Sequence, residues 1–369
     1  MGENMIREPA VAGAFYESNV KYLRESIEDC FKHRLGPKEL PKLSRINKEK
    51  QVNAIMVPHA GYVYSGPTAA HAYSKLVKDG YPETFVILCP NHTGYGADVS
   101  VYNEGSWVVP NGVCDVDNEL ADEIIKNSNF AKADFKAHLQ EHSCEVQLPF
   151  LKYFDSNFKI VPICMMDQSV ETSKDLANSI YESSQNLGRK ITLIDSTDLS
   201  HFKSQEKTIE HDNLVFNEVF NANTEGLYQV VKNEQISICG YGPTMASMEF
   251  SKKLGQKNFE LLQHSTSGDI TLDYVMEQLS DLEDVSSRAM MGEYIIYYRG
   301  KIIGGIYDDR FLVKPVKAAK EMMPDADMEL PYEGAKEMLL IEDLDDREFL
   351  ANLLEGMYDE LPAPRKKRK

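Results

Sequence analysis

Four short β-branched runs in this sequence each lead into a side chain that can bind a metal or carry a proton. VNAIMV precedes His59 in VPHAGY, and TFVILC precedes His92 in PNHTGYG. KITLID runs on to Asp198 and His201 in DSTDLSHF, and QISI runs on to Cys239 in CGYGPT. Together with FKIVPIC these runs predict strands. Helical periodicity lies between them, in NVKYLRESIEDCFKHR, PTAAHAYSKLVKD, NELADEIIKNS, TSKDLANSIYESSQN, HDNLVFNEVFNA, EGLYQVVKN and PTMASMEFSKKLG. Such alternation predicts an α/β fold, a three-layer sandwich around a largely parallel sheet. In that architecture ligands gather beyond the carboxyl ends of the strands, where the loops converge on one crevice.

A chain of 369 residues exceeds what one hydrophobic core usually organises. All nine histidines and all six cysteines lie before residue 265, which predicts a seam near STSGDITLDYV. Residues 1–270 are expected to form the α/β domain. Residues 271–362 read as a small α+β domain: a helix YVMEQLSDLE, then strands EYIIYYRG, KIIGGIYDD and RFLVKP with tight turns at Arg299–Gly300 and Asp308–Asp309. A short helix, an isolated strand EMLLIED and a final helix DDREFLANLLEGMYDEL follow. Residues 363–369 form a basic tail, expected to be a solubilising end.

The formal net charge of −18 disfavours nucleic acid as a partner of the whole chain. The N-terminal residues lack the basic-then-apolar pattern of a secretory signal, and no apolar stretch approaches the ~20 residues that span a bilayer. The widely spaced cysteines include no CxxC pair, which fits a reducing cytoplasm. Cys89 and Cys164, within apolar strands, read as small buried hydrophobes. There is no GxxxxGK[ST], GxGxxG or GxSxG, so kinase, nucleotide-hydrolase and serine-hydrolase readings lack support.

His59 and His92, in equivalent strand-end loops, can place two imidazoles on one cation; singly, each reads as a hydrogen-bonded loop residue. Cys239 precedes the helix TMASMEF, whose N-terminus favours a thiolate, although a lone Cys there is more often structural. A His2Cys set suits iron, copper or zinc. Asp198 sits three positions before His201 and can orient or charge that imidazole, or cap a helix. In EHSCEVQLPFL, Glu141 or Glu145 can cap a helix, whereas His142 is a candidate proton donor. His33, His71, His138, His211 and His264 read as surface or packing residues.

Seven blocks in order (REPAVAGAFYES, VPHAGYVYSGPTAAHAY, PNHTGYG, EHSCEVQLPFL, STDLSHF, CGYGPTMA and STSGDIT) resemble the MEMO family over residues 7 to about 270. The resemblance implies the fold of class III extradiol dioxygenases of the LigB type. It implies that His59, His92 and Cys239 bind a metal, and that Asp198, His201 and His142 line the pocket. The dioxygenases carry a carboxylate as third ligand, so a thiol at Cys239 argues against ordinary ring cleavage. Residues 272 to about 362 resemble the N-terminal domain of TfoX/Sxy-type proteins, a family linked with competence regulation and without established chemistry. The chain passes from its SGD segment directly into the TfoX-like helix, without the final strand that MEMO proteins normally carry.

The expectation is a metal-dependent redox enzyme, dioxygenase-like, with iron ahead of copper or zinc. His59, His92 and Cys239 would be the ligands, and His201, Asp198 and His142 the catalytic acid–base groups. The alternative is a non-catalytic module, as the resemblance also implies signalling and peptide binding. Its crevice would then take a metal or a peptide, and its TfoX-like domain would recruit a protein partner.

Overall fold

The computed structural model describes residues 5–45, 51–256, 258–290, 293–332 and 334–362. It divides into two compact units, Met1–Phe202 with His211–His264, and Lys203–Glu210 with Ser265–Lys369. The basic tail lies outside the described residues.

The first unit contains β1 (Ile6–Arg7), α1 (Val20–Lys32), β2 (Ala54–Val57), α2 (Tyr62–Asp79), β3 (Thr84–Pro90) and β4 (Val99–Val101). The hairpin β5 (Ser106–Val109) and β6 (Gly112–Val116) follows, then α3 (Asn118–Asn127), β7 (Ala131–Ala133), α4 (Leu148–Phe154) and β8 (Lys159–Met165). Next come α5 (Val170–Asn186), β9 (Ile191–Ser196), the part of α6 (Gln205–Phe220) from His211 onward, α7 (Thr224–Asn233) and α8 (Tyr241–Lys253); the start of α6 is assigned to the second unit. The sheet runs in the order β1-β5-β6-β8-β3-β9-β2, with β4 and β7 off this path. From β6 to β2 all neighbours are parallel.

Every residue of β3 is buried, as a strand covered on both faces requires. Phe85, Ile87 and Cys89 face α1, α2 and α4, while Val86 and Leu88 face α3, α5 and α8. Two helical layers therefore enclose one sheet, which is the expected α/β sandwich. Because β2, β3 and β9 are parallel and in register, the loops after them open at one edge.

QISI is not a strand, contrary to the sequence expectation. Residues 236–238 are irregular, and Ile236 and Ile238 are buried in a satellite cluster with Val215, Leu227 and Met245. The alternation there records packing against helices. Ile236 N–H donates to Val231 O at the end of the preceding helix, and the Ser237 side-chain Oγ accepts from His201 N–H.

The second unit contains α9 (Ser267–Gln278), β10 (Val285–Met290), β11 (Glu293–Tyr298), β12 (Lys301–Tyr307), β13 (Arg310–Val313), α10 (Lys317–Met322), β14 (Met328–Glu329), β15 (Met338–Leu340) and α11 (Arg347–Tyr358). Its antiparallel sheet is ordered β10-β11-β12-β13-β15-β14. Arg299–Gly300 and Asp308–Asp309 all have positive φ, the paired left-handed geometry that closes tight hairpins. The strand expected to stand alone, EMLLIED, instead pairs through β15 with both β13 and β14. No helix among the described residues is long and apolar enough to cross a membrane.

Candidate metal centre

His59 and His92 each stand two residues beyond a buried parallel strand, β2 and β3. His59 Nδ1 lies 3.1 Å from Ser196 Oγ at the end of β9. That hydroxyl donates its single proton to Ser143 O and accepts from Gln147 Nε2, so toward His59 it acts as an acceptor. The proton is thereby placed on His59 Nδ1, and Nε2 is left facing Cys239 Sγ at 3.2 Å. His92 repeats the arrangement: Nδ1 bonds Glu141 Oε1 at 2.8 Å, and its backbone N–H donates to Glu141 Oε2 at 2.7 Å. A ring nitrogen tied to an oxygen partner, with the other presented to the pocket, is how metal-binding histidines are usually held.

His142 stacks on His92 with ring centroids 4.7 Å apart, and its Nδ1 lies 3.4 Å from Glu141 Oε1. One nitrogen from each of His59, His92 and His142 falls within 4.8 Å of the others. The loop carrying His142 is anchored from below. Arg7, fully buried, bonds Glu145 Oε2 at 2.6 Å and the carbonyls of His138 and Glu141. Tyr16 and the backbone N–H groups of Ala10 and Val11 complete the shell of Glu145. The two glutamates expected as helix caps are thus spent here, one on the His92 loop and the other on Arg7.

Cys239 enters from the segment before α8, whose N-cap is Gly240. A Cβ at residue 240 would stand 2.6 Å from Thr197 Oγ1, so only glycine allows this approach to the end of β9. Cys239 Sγ accepts from Asp198 N–H at 3.2 Å, and Cys239 O accepts from Gln168 Nε2 at 2.8 Å. Asp198 caps no helix: its Oδ1 accepts from His59 N–H at 2.7 Å, and its Oδ2 lies 3.8 Å from His59 Nε2. His201 hydrogen-bonds Cys239 and feels Asp198 through charge.

These contacts shift the protonation of the whole group. Burial disfavours the Cys239 thiolate, but the His59 charge and hydrogen bonds from His201, His59 and His92 pull its pKa down to about 4. Burial likewise works against the imidazolium of His59, yet Asp198 and Cys239 carry it up to about 9. At His92, bonds to Cys239 and Glu141 outweigh burial and bring it to about 10. His201 is raised, first by its bond to Cys239. His142 goes the other way, lowered by burial and by the His59 charge. His142 is therefore the imidazole that burial and charge leave neutral, the form that binds a metal.

The structure thus brings together all six residues singled out from sequence: His59, His92, Cys239, Asp198, His201 and His142. The group whose donor atoms all lie within 4.8 Å of one another is His59, His92 and His142; Cys239, expected from sequence as the third ligand, is not part of that group, although its sulfur lies 3.2 Å from His59 Nε2. Glu141, Ser196, Gln147 and Gln168, which hold the ligands, were not foreseen in those roles. The donors fit a divalent transition metal: soft sulfur, borderline imidazole and a nearby carboxylate.

Residues 7–277 match the family model of Memo-like proteins, and residues 277–354 match the TfoX N-terminal domain. A MEMO1 family protein of Methanobrevibacter smithii is 45% identical over 269 residues, covering 73% of this chain and 95% of that protein. A MEMO1 family protein of Methanothermobacter thermautotrophicus is 44% identical over 269 residues, covering 73% of this chain and 96% of the relative. One of Sulfolobus acidocaldarius is 46% identical over 271 residues, covering 73% and 95%. The chain belongs to the Memo-like protein family, and its Memo-like region is followed by a TfoX N-terminal domain.

Proposed function

We propose that the first unit is a metal-dependent redox protein, with a divalent cation held by His59, His92 and Cys239 and iron as the first candidate metal. The observation that carries this reading is the pairing of tethered Nδ1 atoms with pocket-facing donors on loops far apart in sequence. His59 and His92 are each fixed through Nδ1, to Ser196 and Glu141; His59 Nε2 lies 3.2 Å from Cys239 Sγ, and the charge of that sulfur also raises the pKa of His92. A redox metal at this position supplies electron transfer and Lewis acidity. The chain's own residues bind it, orient it and manage protons. His201 holds a proton against Cys239, Asp198 fixes the His59 backbone, and His142 is a neutral base or a further ligand.

Metal analysis of anaerobically purified protein tests the assignment. A His59→Ala/His92→Ala double variant and a Cys239→Ser variant should each lose metal while keeping the circular dichroism of the parent. Stoichiometric metal in the folded double variant would overturn the ligand set. His142→Ala separates the two roles of His142: loss of metal makes it a ligand, and retention with altered pH dependence makes it a base. Oxygen uptake with catechols and other phenols by the iron-loaded protein tests the enzyme reading.

A second reading, a binding module for a peptide or metal, has its own support. Tyr64 and Tyr95 lie exposed next to the His59 and His92 loops, where an apolar peptide side chain would meet them. Saturable peptide binding without turnover would favour it. The second unit, lacking His and Cys, is assigned the recruitment of a protein partner rather than redox chemistry or nucleic-acid binding. Six free thiols are consistent with a reducing cytoplasm as the place of action.

A further inference from the structure

Beneath the His92 loop, and outside the pocket itself, three buried thiols meet on one face of the sheet. Cys89 and Cys164 are register partners on the adjacent parallel strands β3 and β8, and both belong to the core shared with α1, α2 and α4. Cys144 comes down on them from the loop between Glu141 and Glu145. Its sulfur lies 2.7 Å from Cys89 Sγ, across 55 positions of sequence. All three residues have no solvent exposure.

A separation of 2.7 Å is too short for two thiols packed as small hydrophobes, which would sit at the roughly 3.5–4.0 Å of ordinary contact. It is also too short for two sulfurs sharing one metal ion. Metal–sulfur bonds of about 2.3 Å at tetrahedral angles hold the sulfurs roughly 3.8 Å apart. It approaches instead the ~2.05 Å of a covalent bond. Neither partner can easily retreat. Cys89 is fixed in the central strand of the sheet, and Cys144 lies in the segment that Arg7 and Glu145 lock from one side and Glu141 from the other.

We propose that Cys89 and Cys144 form an oxidisable pair that closes to a disulfide with hydrogen peroxide as oxidant. The Cys89 thiolate attacks one peroxide oxygen and hydroxide leaves, giving a sulfenic acid. The Cys144 thiol then attacks that sulfur, and its proton passes to the departing hydroxyl, which leaves as water. The two thiols lose two electrons and two protons, and the peroxide becomes two water molecules. The bridge ties the strand that ends two residues before His92 to the segment carrying Glu141 and His142, two stretches already joined by the His92–Glu141 hydrogen bonds and by Ser143 Oγ donating to Pro90 O. The pair stands independently of which metal the pocket takes, or of whether it takes one.

Full-length protein treated with hydrogen peroxide, then denatured and alkylated without reductant, gives a direct test. The count of alkylatable thiols should fall from six to four, and a cross-linked peptide should join Cys144 to the tryptic fragment containing residue 89. That fragment, residues 79–126, also contains Cys114, so tandem mass spectrometry must place the bridge at Cys89. Cys144→Ser should abolish the cross-link while leaving the far-ultraviolet circular dichroism unchanged. A bridge from Cys89 to Cys164, a bridge from Cys114, or six thiols still free after loss of peroxide would each overturn the pairing. Binding of monovalent copper by Cys89 and Cys144 in place of oxidation would overturn it too.

Discussion

Glu141→Gln is the most informative single change, because it preserves the size of a fully buried side chain and alters only its hydrogen-bonding polarity. The carboxylate accepts four bonds. Oε2 takes His92 N–H, while Oε1 takes His92 Nδ1, Ser143 N–H and Ser143 Oγ. A glutamine has one acceptor and one donor, so in either orientation its NH2 faces at least one N–H. Leaving a buried donor unpaired costs about 1–3 kcal/mol, which lowers the Tm of the metal-free unit by several degrees. The same change frees the His92 ring from its orienting partner. Loss of an outer-shell carboxylate typically weakens metal binding by 10–100-fold, or about 1.4–2.7 kcal/mol. Anaerobic competition against a chromogenic chelator measures this, and calorimetry of metal-free protein measures the stability. Glu141 sits well below its ordinary pKa, at about 2: burial raises it, but bonds to His92 and Ser143 lower it further. A depressed acid stabilises the fold above its unfolded pKa, so parent and variant should converge as pH falls from 4.5 toward 2. Metal affinity within about threefold of the parent, in a variant with unchanged circular dichroism, would refute the outer-shell role.

Three further outcomes follow from particular contacts. Arg7→Met strands the buried Glu145 charge and should destabilise the first unit by about 3–5 kcal/mol in urea denaturation; a loss below about 1 kcal/mol would show that Glu145 finds other partners or takes up a proton. Divalent metal uptake at pH 7 should release the protons of both His59 and His92, whose pKa values lie near 9 and 10, so affinity should rise with pH; calorimetry in buffers of different ionisation enthalpy reads the release directly. In the second unit, burial and the nearby Asp308 push Glu293 up to about 7, so folding stability should fall as pH rises from 4.5 to 7; Glu293→Gln should flatten that slope, and an unchanged slope would place the effect elsewhere.

The sandwich was legible because its strands are hydrophobic on both faces and its helices keep a 3.6-residue period. The antiparallel flank was not anticipated. β5 and β6 are joined through Pro110-Asn111-Gly112, a turn signal that precedes only a five-residue strand of mixed polarity. His59 and His92 were readable from their place after apolar strands, which is a local property. Cys239 lies beside His59 although the strand credited with delivering it does not exist; the short alternation of Ile236 and Ile238 is equally compatible with packing against helices. Glu141 was invisible as a partner of His92 because 49 residues separate them and only the fold closes that distance. The seam also depends on the criterion applied. Family resemblance divides the chain at 277, but packing divides it at 264, since Leu272 and Val275 of α9 lie in the core of the second unit.

The charges of the pocket constrain the cation more tightly than its donor atoms do. Without metal, the Cys239 thiolate, the Asp198 carboxylate and, behind His92, Glu141 face imidazoliums at His59 and His92. Burial disfavours the charges of Cys239, His59, His92 and Glu141, and their mutual attraction and hydrogen bonds offset that cost. Exchanging the two imidazolium protons for a divalent ion leaves the total unchanged. A monovalent ion exchanged for the same protons would make the group one unit more negative, and a trivalent ion one unit more positive. At the proposed site, loading of a divalent ion would be a proton exchange that keeps the charge of the group as it was. The sulfur then narrows the choice among divalent ions, because a thiolate disfavours magnesium and calcium relative to iron, copper or zinc.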